Sequence, residues 1–260
     1  MNIIVCIKQV PETTEVRINP ETNTLMREGV KAIINPFDMY AIEEAVRLKE
    51  RFGGKISIVS MGPPQAEQAI REAISIGADE GFLVCDRAFA GSDTWATSYT
   101  LAGAIKKIGQ FDLIICGKQA SDGDTAQVGP GIATHLNIPQ VTYVKKVEEA
   151  SDKIMKVERM LEDGYEIIET PLPALLTVVK EINEPRIPSL KGIMKSKSAK
   201  ITTFGQKELG LDPQKIGLCG SPTQVVKIFT PPARIGGQIL KGEAADIAKE
   251  LVGLIKNEVN

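Results

Sequence analysis

The sequence predicts an α/β protein built on a doubly wound, mostly parallel sheet, with an antiparallel meander at the sheet edge and an extended C-terminal arm. Three observations carry this prediction. Short continuous apolar runs, such as "IIVCI" (Ile3 to Ile7), are what strands covered on both faces require. Amphipathic stretches with helix start and stop signals separate those runs. The alternation of the two is regular as far as about Asn137 and then stops.

Taken in order, Ile3 to Ile7 is the first strand, and "TEVRINPETNTLMREGV" after it reads as an inserted hairpin turning at Asn19-Pro20 to Asn23. "NPFDMYAIEEAVRLKERFGG" is a helix. Asn35 stands at the N-cap, Pro36 fits the first helical position, and Asp38 lies where the helix dipole favours an acid. Ala41, Ala45, Leu48 and Phe52 mark its buried stripe, and Gly53-Gly54 stop it. "KISIVSMG" and "PPQAEQAIREAISIGA" repeat the strand–helix unit, as do "GFLVCD" with "DTWATSYTLAGAIKKIG", and "FDLIICG" with a helix ending near Asn137. After Pro139, "VTYVKKV", "KIMKVERML", "GYEIIET" and "ALLTVV" follow without helices between them, the pattern of an antiparallel meander. This divides the chain into an α/β domain over residues 1–183 and an arm over 184–260. The arm carries Pro185, Pro188, Pro213, Pro222, Pro231 and Pro232 before a closing amphipathic helix near Glu243 to Glu258, with Ile247, Leu251 and Leu254 on one face.

Composition excludes several function classes. A net charge of −2 over 260 residues gives no electrostatic case for nucleic acid or an anionic membrane. No apolar run approaches spanning length, and "MNIIVCIKQV" does not read as a signal peptide, so a cytoplasmic location is expected. Cys6, Cys85, Cys116 and Cys219 are far apart and form no CxxC, which suits reduced thiols and offers no zinc site. The single histidine, His135, sits on a helical pattern in "IATHLN" and is read as structural rather than as a general base. No Ser/His/Asp, Cys/His or metal-ligand cluster is apparent, so no catalytic side chain is assigned.

The stretch that invites chemistry is "GKQASDGDTAQVGPG", from Gly117 to Gly131, directly after the apolar run "FDLIIC". In a doubly wound sheet, ligands bind at the carboxyl ends of strands, where this loop begins. Asp124 and Gln127 have capping-box spacing, and Pro130 forces the next helix to start late or to kink. Either way, backbone N–H groups are left to face a ligand, and small residues allow it to approach, an arrangement that suits phosphate. Neither GxxxxGK[ST] nor GxGxxG is present, so a capped surface turn is the competing reading. A nucleotide floor without acid–base residues implies that the ligand carries the chemistry.

The chain resembles the beta subunit of electron transfer flavoproteins over nearly its whole length. The resemblance is carried by "VERMLEDGYEIIETPLPALLT", with Val157, Arg159, Glu162-Asp163-Gly164, Glu166, Ile168, Pro173 and Leu175-Leu176-Thr177 in the family's order and spacing. "VCIKQV", "NPFDMYAIEEAVRLKE", "GKQASDGDTAQVG" and "NEPRIPSLKGIMKSKSAK" extend it. It implies an adenine-nucleotide-binding, Rossmann-like fold paired with an alpha subunit that holds a redox-active FAD. It places a nucleotide near Cys6, on Asn35, Pro36, Phe37 and Asp38, near Met61, and along Gly117, Lys118, Gln119, Ala120, Ser121, Asp122, Gly123, Asp124, Thr125, Ala126, Gln127 and Val128.

In ordinary members that nucleotide is a structural AMP. "DGDTAQVGP" and the glycine-rich "PPARIGGQILKG" resemble instead the electron-bifurcating subgroup. The resemblance there implies a second FAD that accepts hydride from NADH, passing one electron to ferredoxin or flavodoxin. The other goes through the alpha-subunit FAD to an acyl-CoA dehydrogenase. Gly123 would give the larger cofactor room, while Thr125 and Gln127 would hydrogen-bond its pyrophosphate. "EPRIPSLKGIMKSK" resembles the family's recognition loop for the dehydrogenase, with Leu190 as anchor and Lys191, Ile193, Met194 and Lys195 around it. An ordinary electron carrier with AMP, and a standalone ATP-binding enzyme or nucleotide sensor, are the alternatives. The ATP-grasping loop SGGxDS that the last requires is absent.

Overall fold

A computed structural model describes residues 1–12, 32–226, 237 and 239–259. Met1–Val226 forms one compact unit and Lys227–Asn260 a second. In the first, β1 (Asn2–Ile7) leads to a short antiparallel pair, β2 (Gln9–Pro11) with β3 (Ala32–Ile34), and then to α1 (Pro36–Phe52). The expected hairpin turn at Asn19–Asn23 lies outside the described residues, although β2 and β3 flank it. There follow β4 (Lys55–Met61), α2 (Glu67–Ile76), β5 (Glu80–Val84), α3 (Thr94–Ile108), β6 (Leu113–Gly117) and α4 (Val128–Leu136). The chain continues through β7 (Gln140–Ala150), β8 (Ile154–Met160), β9 (Tyr165–Pro171), β10 (Ala174–Val178), α5 (Leu190–Ser198), β11 (Ile201–Phe204) and α6 (Gln206–Leu209). The second unit contains α7 (Ala244–Val259), within a residue or two of the expected closing helix.

Nine strands form one sheet in the order β11-β5-β4-β1-β6-β10-β7-β8-β9, parallel from β11 through β7 and antiparallel at β7-β8-β9. Helices cover both faces, which explains why the central parallel strands β1, β6 and β10 are almost wholly apolar rather than alternating. On one face Ile3, Val5, Ile58 and Ile115 pack with Ile42 and Ala45 of α1 and Ile70 and Ile74 of α2. On the other, Ile4, Val59, Ile114 and Leu175 pack with Leu101 and Ile105 of α3 and Ile132 of α4. Each fully buried isoleucine stabilises the fold by about 1.5–3 kcal/mol.

Two sequence expectations differ from the structure. "ALLTVV" is not the fourth strand of the meander: β10 lies parallel between β6 and β7, inside the main sheet. All five of its residues are buried, the signature of a doubly covered strand rather than of an edge strand with one wet face. The segment after residue 183 is also more ordered than its prolines suggest, since α5 packs on α2 and β11 extends the sheet beside β5. Side chains hold it there. Arg186 forms ion pairs with Glu43 at 2.8 Å and Glu50 at 2.5 Å, and Arg71 Nη1 donates to the carbonyls of Ser196 (2.7 Å) and Ala199 (3.1 Å). Those partners are more than a hundred residues away in the sequence, so local pattern could not reveal them.

Candidate functional site

The sheet reverses its winding between β1 and β6. From β1 the chain builds outward through β4 and β5, then returns to place β6 on β1's other side. Ligands bind in the crevice beyond the carboxyl ends at such a switch point, and here a cavity of about 460 Å³ opens, in the size range of small-molecule sites. Cys6 and Cys116 sit side by side in its floor as register partners on the two strands. Both are buried, and the Cys6 thiol beside it together with burial raises the Cys116 thiol well above its ordinary range.

α1 enters the crevice by its N-terminus. Asp38 turns back beneath the cavity, where its Oδ2 accepts the Lys8 N–H at 2.7 Å and its Oδ1 accepts the Gly117 N–H at 3.2 Å. One carboxyl group thus braces the ends of β1 and β6 against each other. Burial dominates its titration and pushes it up to about 7, against the lowering effect of those donors and Asn35. Gly117 is required by this contact, because a Cβ there would lie 2.6 Å from the Phe37 carbonyl carbon and 2.8 Å from the Asp38 nitrogen.

Asn35 occupies the N-cap position but caps nothing with its side chain. Instead its Nδ2 donates to the Gln119 carbonyl at 2.8 Å and its Oδ1 accepts the Ser121 N–H at 3.0 Å, tying the glycine-rich loop to α1. The expected capping box of Asp124 and Gln127 does not form either. Gln127 is the N-cap residue of α4 without a side-chain cap, and Asp124 pairs with the Gln119 amide. Asp124 and Ala126 both adopt left-handed backbone, at φ 53° and 54°. For a residue with a Cβ this costs about 1–2 kcal/mol, which the surrounding structure must offset. The outcome is an uncapped nine-residue helix facing the cavity. Its first N–H groups, at Val128 and Gly129, have no intrahelical acceptor, and Pro130 has no N–H to offer. Nearby, the Lys8 ammonium pairs with Asp122 at 2.6 Å, and Lys118 lies 5.0 Å from the centre of the Tyr143 ring. Amides at a helix N-terminus beside two cations make an anion-competent surface.

Of the residues singled out from the sequence, Cys6, Asn35, Asp38, Met61, Gly117 to Ala120 and Gly123 to Val128 line the cavity. Pro36, Phe37, Ser121 and Asp122 are not part of that lining, and Ser121 and Asp122 instead tie the loop to Asn35 and Lys8. Sequence reasoning missed a whole wall: Ser92, Asp93, Thr94, Thr97 and Leu101 at the start of α3, with Thr223. The "SDT" cap signature ahead of α3 marked a helix start, but nothing local told that it faced this crevice. His135 packs on Trp95 and Tyr99, with ring centres 4.4 and 5.4 Å away, and burial, then Lys106, lower its pKa.

The residues expected to bind a partner lie elsewhere, on α5. Ser189 caps that helix by accepting the Gly192 N–H. Leu190 is 83% exposed and Met194 73%, while Ile193 is only just exposed and Lys191 projects outward. Lys195 differs, since its ammonium donates to the Ala78 carbonyl at 2.9 Å and so anchors the helix to the body. What read as a loop is therefore a helix carrying an exposed apolar pair. No helix among the described residues is long and apolar enough to cross a membrane.

A crevice at the switch point of a doubly wound sheet, floored by small residues and an uncapped helix, is characteristic of α/β proteins that bind small molecules. Comparison with known proteins narrows the class. The electron transfer flavoprotein domain matches residues 22–209, most of the chain, which therefore belongs to the electron transfer flavoprotein family. Its similarity is to beta subunits. The electron transfer flavoprotein subunit beta of Thermoanaerobacterium thermosaccharolyticum is 56% identical, covering 97% of this chain and 96% of that protein. The caffeyl-CoA reductase-Etf complex subunit CarD of Acetobacterium woodii is 50% identical, covering 99% of each. Protein FixA of Bradyrhizobium diazoefficiens is 46% identical, covering 98% of this chain and 91% of that protein.

Proposed function

We propose that this beta subunit pairs with an alpha subunit to form an electron-bifurcating flavoprotein and that its crevice holds FAD. The observation that carries the reading is the continuity of one cavity from the anion-competent start of α4, across the Cys6–Cys116 floor, to the hydroxyl-rich start of α3. The pyrophosphate would lie on the Val128 and Gly129 amides, with Thr125 and Gln127 beside it. Asn35 and Asp38 would hold the loop and the strand ends in place beneath it. Gly123 leaves open space, since no atom lies within 4 Å of a Cβ placed there.

When bound, the flavin supplies the redox chemistry, accepting hydride from NADH and releasing single electrons. This chain's residues bind it, orient it and exclude water. In the same reading one electron goes to ferredoxin or flavodoxin. The other would go through the alpha-subunit FAD to an acyl-CoA dehydrogenase that would dock on Leu190 and Met194 of α5, with Lys191 steering it. The similarity to a subunit named for a caffeyl-CoA reductase complex supports the bifurcating reading. An ordinary carrier holding AMP in the same crevice is the second reading, because adenine nucleotide and phosphate groups satisfy the same backbone donors.

The test is cofactor release. The chain is co-expressed with its alpha subunit, and the purified complex is denatured and its nucleotides counted. About two FAD and no AMP per heterodimer supports bifurcation. One FAD with one AMP overturns it in favour of the ordinary carrier, and no nucleotide from this chain overturns both.

A further inference from the structure

The wall that sequence reasoning missed contains an acid with no capacity left for a ligand. Asp93 lines the cavity, yet its carboxylate already accepts four hydrogen bonds. Oδ1 takes the N–H groups of Trp95 and Ala96, both at 3.0 Å, capping α3. Oδ2 takes the N–H of Thr223 at 3.0 Å and its hydroxyl at 2.8 Å. Burial works against the charge, but the donors win and hold the carboxyl below its usual range. Asp93 contributes from its backbone too, donating to the Ser221 hydroxyl at 2.8 Å, while that hydroxyl donates to the Gly217 carbonyl at 2.7 Å. Gly217 has φ +57°, and a Cβ there would meet the Ala88 carbonyl, so the approach of the two segments depends on it.

Two segments some 130 residues apart are thus clasped at one point. That point is a wall of the cavity, since Ser92, Thr94, Thr97 and Thr223 line it together. Thr223 is also only three residues before Val226, where the compact unit ends. We propose that Asp93 is a positioning residue that clasps Thr223 across the α3 wall, so that nucleotide occupancy and the order of residues 217–226 rise and fall together. The proposal rests on the reading of the crevice as a nucleotide site. The reason is reciprocal linkage. A ligand that packs on a wall formed only when the clasp is closed must favour the closed clasp, by the same factor by which the clasp favours the ligand.

The experiment uses the full chain with its alpha subunit, stripped of nucleotide in the crevice and then titrated with FAD or AMP. Amide hydrogen exchange is followed over residues 217–226. Nucleotide is expected to slow exchange there about tenfold. Thr223→Val keeps the Asp93 cap on α3 but removes the hydroxyl donor. It is expected to weaken nucleotide binding about five- to tenfold and to abolish most of the slowing. The thermal midpoint of the nucleotide-free protein should fall only by what one lost hydrogen bond implies, and Thr223→Ser should restore both binding and slowing. A purely structural role would lower that midpoint and leave the ligand-linked slowing intact. If the wild type binds nucleotide while exchange over 217–226 is unaltered, or if Thr223→Val binds as the wild type does, the proposal is overturned. If the wild type binds neither FAD nor AMP, the nucleotide reading falls and takes the proposal with it.

Discussion

Replacing Asp38 with asparagine should remove a loss of stability that the wild type suffers as pH rises to about 7 and that then levels off. Asp38 is 5% exposed and bridges the Lys8 and Gly117 amides, and burial raises its pKa from 3.8 to about 7. A carboxyl whose native pKa is raised holds its proton in the folded state through a window where the unfolded chain has released it. The folded state then binds more protons between pH 4 and 7, so stability falls as pH climbs through that window, and above 7 the whole penalty is present. The gap from 3.8 to about 7 amounts to about 4 kcal/mol. The penalty is about 2 kcal/mol at pH 5 and about 4 kcal/mol at pH 8, because most of it has accrued by the folded pKa. Asparagine never ionises and escapes it. Its NH2 group faces one of the two amide donors and cannot accept from it, as the hydroxyl oxygen of the protonated acid can, so the substitution carries a constant cost and the pH-dependent part of the difference is what reports on Asp38. Urea unfolding of both full chains from pH 5 to 9 measures the difference directly, and other titrating groups cancel. The stability of Asp38→Asn relative to the wild type should rise by about 2 kcal/mol between pH 5 and 8. A difference that stays flat would refute the buried, protonated carboxyl and with it the account of how the two strand ends are braced.

Asn35→Ala removes both bonds that tie the loop to α1, to the Gln119 carbonyl and the Ser121 N–H, and should cost about 2 kcal/mol of stability and about tenfold in nucleotide affinity; calorimetric titration with FAD and AMP, beside a urea midpoint, checks each. Gly117→Ala drives a Cβ to 2.6 Å from the Phe37 carbonyl carbon and should destabilise by about 3 kcal/mol, whereas Gly123→Ala enters open space and should cost under about 1 kcal/mol; equal effects at the two positions would contradict the packing described. Leu190→Ala trims a side chain that is 83% exposed, so the thermal midpoint should hold while electron transfer to the docked dehydrogenase slows at subsaturating partner; a fall in the midpoint would place Leu190 in the fold rather than at an interface.

Much of this molecule was legible before its structure. The runs Ile3 to Ile7 and Leu113 to Gly117 announce doubly covered strands by lacking a polar alternate. Asn35-Pro36 and Gly53 bound α1 through local backbone chemistry alone. The glycine-rich loop is visible because small residues after a strand are costly unless something must approach. What the tertiary structure decided is where distant pieces meet. β10 could be read as a meander strand because its sequence neighbours are antiparallel, yet long-range pairing with β6 and β7 draws it into the parallel sheet. Asn35 carries a helix-capping residue type, but the nearer acceptor and donor lie 84 and 86 residues on, and it turns to them. Asp93 both caps α3 and clasps Thr223, 130 residues on, a pairing that no local pattern records. Sequence periodicity records which faces are buried, because burial repeats with the local geometry of helix and strand. It does not record what a buried polar group bonds to, because that partner is set by the path of the whole chain.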